Sequence, residues 1–166
     1  MVLGAVTGQW AAGVAGALGT GVLPMAAILT FMRMGKVGDH HVTRREERLL
    51  VLGMITAIVI MLLIGLVLWQ VDELLINGVI CAIAFLLVFA VVTVAFKIKA
   101  SIHVGLWVCL TAFLVATVSA WFALALVATP AIAWARYVIK HHSVFELCVG
   151  VISGLLVGVA AGAILL

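Results

Sequence analysis

Arg136 is followed after five residues by His142, and Glu146 comes four residues after that histidine. An imidazole and a carboxylate at this spacing share one face of a helix. The carboxylate can then accept the Nδ1 proton and leave the lone pair on Nε2, as a nucleophile or base requires. Ser143 and Glu146 also fit a capping box ahead of an apolar run, a second role compatible with the first. Upstream, the segment "KIKASIH" runs from Lys97 to His103. Ser101 and His103 stand at the head of an apolar run with Lys99 beside them. A hydroxyl, a cation and the backbone N–H groups of a helix start make a cradle for phosphate. Ser101 is equally suited to cap that helix. The third polar stretch, "GDHHVTRREERLL", holds His40, His41, Arg44, Arg45 and Arg48, with Glu46 and Glu47 offsetting part of the charge. Its plainer reading is a solvated basic loop.

The elements that must position these groups are membrane spans. Of 166 residues, 67% are hydrophobic and 9% charged, against roughly 25% charged in a soluble domain. Runs of about 20 apolar residues mark spans, and six are read: 5–32, 49–70, 74–96, 102–118, 120–139 and 144–166. The fourth and fifth share one run from Ile102 to Ile139, divided near Thr117 to Ala120, and Pro130 is expected to kink the fifth. The predicted fold is all-α: one transmembrane domain over 1–166, an integral membrane six-helix bundle with its polar site at one membrane face. The first run lacks the basic start of a signal peptide. Cys81, Cys109 and Cys148 lie inside apolar runs and read as small core residues, with neither metal nor disulfide spacing.

Six spans place every Lys and Arg on one side or at a helix end facing it: Arg33, Lys36, Arg44, Arg45, Arg48, Lys97, Lys99, Arg136 and Lys140. The five histidines, His40, His41, His103, His141 and His142, share that side, whereas Asp72 and Glu73 lie opposite. Basic loops alone would orient the chain. One-sided histidines point further, to a polar site on that face.

Taken in order, the three stretches resemble the motifs of the phosphatidic acid phosphatase type 2 superfamily, which includes lipid pyrophosphate phosphatases and vanadium haloperoxidases. The third motif of that family, Ser-Arg, five residues, His, three residues, Asp, is matched by Ala135-Arg136, His142 and Glu146. The second, Pro-Ser-Gly-His, is reduced to Ala100-Ser101-Ile102-His103. The first, Lys, six residues, Arg-Pro, is matched most weakly by His41 and Arg48-Leu49. The resemblance covers roughly residue 39 to the C-terminus. It implies that His142 attacks phosphorus and becomes phosphohistidine, that Glu146 replaces the Asp orienting it, and that His103 protonates the leaving oxygen. Arg48, Arg136 and Ser101 would hold the phosphoryl oxygens, with Lys99 and His41 as further candidates. Neither a metal nor another cofactor is implied. Ile102 stands where the family has Gly, and the Pro residues of both early motifs are absent.

The expected function is thus a membrane lipid phosphatase acting on a phosphomonoester or pyrophosphate of a lipid, of phosphatidic acid or polyprenyl phosphate type. The alternative is a non-enzymatic binder or transporter of an anion or metal, built on His40, His41, His141, His142 and Glu146. The expected partners are the lipid substrate and membrane lipids, not nucleic acid. Gly150, Gly154, Gly158 and Gly162 form a ridge on the last span that would pack within the chain, with the Gly-rich first helix as a candidate partner, or form a homodimer. Trp10, Trp69, Trp107, Trp121 and Trp134 read as interfacial anchors. The positive-inside rule puts the site-bearing loops of this multi-pass cell-membrane protein in the cytoplasm and both termini outside.

Overall fold

The apolar runs become helices in the computed structural model, which describes residues 1–38 and 45–165, with backbone alone at 45 and 46. No strand occurs among the described residues. Five helical stretches are long and apolar enough to cross a membrane: Trp10–Arg33, Glu47–Leu68, Glu73–Ala95, Ala120–Val138 and Val144–Ile164. The fourth apolar segment forms a helix of 16 residues, Ile102–Thr117, or about 24 Å at 1.5 Å per residue. It matches the expected 102–118 bounds but is shorter than the usual span of about 20 residues, so a sixth crossing does not follow from its length. Contacts divide the chain into two compact units, Met1–Ile83 and Ala84–Leu166.

In the first unit the expected span 5–32 starts later, at Trp10. The residues before it form a short helix, α1 (Val2–Val6), which a turn at Gly8 (φ 72°) folds back beside α2 (Trp10–Ala17). Gly4 and Gly13 cross so closely that a Cβ on Gly4 would stand 2.6 Å from the Gly13 Cα. A π-helical turn, Leu18–Val22, joins α2 to α3 (Leu23–Arg33), and Gly19 within it leaves room for the Leu62 side chain of α4 (Arg45–Leu68). Ile28, Val37 and Val51 make the buried contact between α3 and α4. In the first turn of α4, the Glu47 carboxylate accepts the Gly38 N–H at 3.0 Å. After α4, Gln9 accepts the Asp72 N–H at 2.9 Å, tying the N-terminal turn to the next connection.

The helix α5 (Glu73–Ala95) ends in the second unit, where Phe85 and Phe89 are fully buried and stack at 4.4 Å. Their rings pack on Gly105 of α6 (Ile102–Thr117), whose absent side chain admits both. The chain breaks after Thr117, as the sequence indicates, and Ser119 caps a 3-10 helix, Ala120–Ala128. Pro130 does not kink a continuous helix. It sits in the first turn of α7 (Thr129–Val138), where its fixed φ and missing N–H cost nothing. A 3-10 stretch rises about 2 Å per residue, so this span is longer than its residue count suggests. The last helix, α8 (Val144–Ile164), runs parallel to α6. Its glycine ridge meets α6 along the length: Gly150 at the Ser101 carbonyl, Gly154 at Gly105, Gly158 at Cys109 and Gly162 at Ala116. The ridge is therefore filled by α6, not by the first helix.

Candidate functional site

The start of α6 and the start of α8 are fastened together, and the candidate chemistry sits on the fastening. The chain leaves α5 through Lys97, in the left-handed region at φ 56°, and reaches Ser101, the extended N-cap of α6. The Ser101 N–H donates to the Glu146 carbonyl at 3.2 Å. The Ser101 carbonyl lies against Gly150, where any Cβ would come within 2.8 Å. On the other side of the fastening, α7 ends, Lys140 turns at φ 56°, and His142 precedes the α8 cap. The capping box is complete: the Glu146 N–H donates to Ser143 Oγ at 3.3 Å, and Glu146 Oε2 accepts the Ser143 N–H at 2.9 Å.

His142 is oriented differently from the expectation. Its Nδ1 lies 3.1 Å from the Lys99 carbonyl oxygen and 3.6 Å from Glu146 Oε2. The shorter contact is the hydrogen bond, and Glu146 spends its oxygen on the helix cap. A carbonyl oxygen can only accept, so Nδ1 carries the proton and the neutral ring holds its lone pair on Nε2. The tautomer expected from the His-Glu spacing is thus reached through a backbone carbonyl 43 residues away in sequence. Glu146 remains close enough to favour a positive charge on the ring. With its side chain 8% exposed, His142 feels both groups with little screening from water.

Ser101 is 0% exposed, and its hydroxyl has no hydrogen-bond partner. It occupies the N-cap position without making the cap bond. Lys99 is half-buried, and His103, in the first turn of α6, is exposed. Arg136 is half-buried in the last turn of α7, where a cation suits the helix dipole. Thus Lys99, Ser101, His142 and Glu146 are brought together. Arg48 belongs to the first turn of α4 in the other unit, and His41 lies outside the described residues. Of the alternative metal site, His40 and His41 lie outside as well, and no three His, Cys, Asp or Glu side chains gather around a common point among the described residues. Sequence reasoning missed the Lys99 carbonyl, for which no side-chain pattern exists. No known protein family, curated protein or solved structure matches the chain.

Proposed function

We propose that the protein is a multi-pass membrane phosphatase that hydrolyses the phosphate ester or pyrophosphate of a lipid through a phosphohistidine at His142. The observation supporting this most directly is the orientation of His142, with Nδ1–H held on the Lys99 carbonyl at 3.1 Å beside the Glu146 carboxylate. Nε2 attacks phosphorus and the bond from phosphorus to the lipid oxygen breaks. His103 gives its proton to that leaving oxygen. The ring becomes cationic as the N–P bond forms, and the Lys99 carbonyl and Glu146 carboxylate stabilise it without moving. Water then attacks the phosphohistidine, giving its proton to His103 and releasing phosphate. Ser101 supplies a donor to a phosphoryl oxygen, which gives its buried hydroxyl a partner. Lys99 and Arg136 supply positive charge, in keeping with phosphoryl transfer as mainly positioning and electrostatics.

In this reading α6 crosses the bilayer with α8, making six crossings in all, because the two helices are parallel and packed along their length. The polar site then lies at one face, where lipid tails stay in the membrane while the phosphate meets the basic loops.

Phosphate release from several lipid phosphates by the purified protein, with chelator present, tests the reading. Release is expected for the native chain and a loss of roughly 1,000-fold or more for His142→Ala. Binding without turnover, abolished by chelator, would favour a metal-dependent binder instead.

A further inference from the structure

The 3-10 helix Ala120–Ala128 is long and has no local cause. Such runs rarely exceed three or four residues, because their hydrogen bonds are poorly aligned; this one has 9. Its sequence, AWFALALVA, contains neither glycine nor proline and is rich in alanine and leucine, the strongest α-helix formers. No buried side chain locks the winding in place. Every residue from Ala120 to Val138 is at least partly exposed, and Trp121, Leu124 and Val127, spaced three apart, stand outward at 79%, 65% and 78% exposure.

Two adjacent residues at its end pull in opposite directions. Thr7, Thr20, Thr30, Thr56 and Thr117 each donate a hydroxyl to the carbonyl four residues back. The Thr129 hydroxyl is enclosed and has no hydrogen-bond partner. Its matching carbonyl, on Ala125, lies inside the 3-10 stretch, where a repeat of three per turn rotates it away. An α winding would bring that carbonyl back into reach and relieve the cost of the unpaired hydroxyl. Pro130 opposes the change, because in a continuous α-helix its ring meets the Leu126 carbonyl.

We infer that Ala120–Ala128 converts between 3-10 and α winding, and that the thickness of the bilayer sets the balance. Both windings satisfy the backbone within the segment, as lipid requires. At about 2.0 and 1.5 Å per residue, conversion shortens the Ala120–Val138 span, 19 residues, from about 33 to about 28 Å. These lengths bracket a hydrocarbon core of about 30 Å, so a thin bilayer selects the α form and a thick one the 3-10 form. The segment is held at both ends. Ahead of it, the Ser119 N–H donates to the Leu114 carbonyl of α6 at 3.1 Å. Beyond it, His142 is held on the Lys99 carbonyl at 3.1 Å. The shortening therefore falls on the turn at Lys140, which already stands at φ 56° and separates Arg136 from His142. Conversion shifts Arg136 along the span by about 4–5 Å relative to that imidazole. It does so whether or not His142 performs phosphoryl transfer.

Spin labels on Ala120→Cys and Ile139→Cys, in the full chain with Cys81, Cys109 and Cys148 replaced, report the length of the segment by pulsed EPR. Vesicles of dimyristoleoyl and dierucoyl phosphatidylcholine supply a thin and a thick bilayer. Two distances about 4–5 Å apart are expected, the ratio of shorter to longer rising about tenfold from the thick bilayer to the thin. Thr129→Val removes the hydroxyl that gains a partner only in the α form and should favour the longer distance. Pro130→Ala removes the ring that obstructs the α form and should favour the shorter. A distance that neither thickness nor either substitution moves would overturn the proposal. So would a shift with thickness that both substitutions leave unchanged, since the segment would then bend and not rewind. Movement by the substitutions alone would keep the two windings and dismiss bilayer thickness as what sets their balance.

Discussion

The imidazole of His142 is held by one group and lies beside the charge of another. The Lys99 carbonyl fixes its tautomer at 3.1 Å, while the Glu146 carboxylate at 3.6 Å is committed to the α8 cap. Substitution separates the two tasks. Glu146→Gln keeps an oxygen for the Ser143 N–H but loses the charge. It should leave the melting temperature nearly unchanged and slow phosphate release by about 10- to 100-fold. Glu146→Ala should show the same slowing and also lose about 1 kcal/mol of stability with the cap. An equal thermal loss in both variants would mean that the carboxylate charge, not the cap, stabilises the helix. Ser101→Ala tests the cradle with effects of opposite sign. Removing a buried hydroxyl without a partner should leave stability equal or raise it by about 1 kcal/mol, yet weaken binding of vanadate, a phosphate mimic. A fall in stability with unchanged vanadate binding would make Ser101 a structural residue. These side chains were legible in the sequence because type and spacing advertise an imidazole, a carboxylate and a hydroxyl. The Lys99 carbonyl was not, since every residue has one and only the fold chooses which is used.

At the level of elements, the site depends on how closely α6 and α8 approach. The Ser101 N–H reaches the Glu146 carbonyl, and His142 reaches Lys99, because the glycine ridge lets the two backbones approach without side chains between them. A Cβ at Gly154 would collide with the Gly105 carbonyl, and one at Gly158 with the Cys109 carbonyl. Both obstacles are backbone and cannot turn aside. Gly154→Ala and Gly158→Ala should each cost about 1–3 kcal/mol in thermal or denaturant unfolding, and should impair phosphate release by pulling the Lys99 carbonyl from His142. Gly53 and Gly65 of α4 are exposed, and a methyl group added at either would meet nothing within 4 Å. Alanine there should be neutral or gain up to about 1 kcal/mol, as helix propensity directs. Equal losses at ridge and control positions would dismiss close packing as the cause. The four-residue glycine repeat announced a smooth face but not its partner, because the partner surface on α6 is a stripe of mixed small residues, Gly105, Cys109, Ala112 and Ala116, that no glycine repeat marks. The break after Thr117 was readable from the length of the apolar run. The 3-10 stretch, the π-helical turn and the fold-back at Gly8 were not, since hydropathy records burial in lipid and is nearly blind to helix type.

For the whole chain the deciding element is α6. Its 16 residues reach about 24 Å, some 6 Å short of a typical hydrocarbon core. A mismatch of this size is absorbed by local thinning of the bilayer at a modest cost. Its parallel neighbour α8, at 21 residues, reaches about 31 Å and is long enough to span unaided. Since Gly150 through Gly162 follow α6 from Ser101 to Ala116, a crossing by α8 carries α6 to nearly the same depth. The intervening Ala120–Val138 stretch then returns the chain to the face where His142 meets Lys99. Under the proposed six crossings both termini fall on one side, and the concentration of Lys and Arg in the alternate loops would make that side non-cytoplasmic. Reporters fused at each terminus should both read non-cytoplasmic, while thiol labelling of single cysteines at Ile98 and Ser119, in a background with Cys81, Cys109 and Cys148 replaced, should come from opposite faces. Termini on opposite sides, with positions 98 and 119 labelled from the same face, would show that α6 enters the membrane without crossing it. The two termini together on the cytoplasmic side would keep the six crossings and move the site to the outer surface.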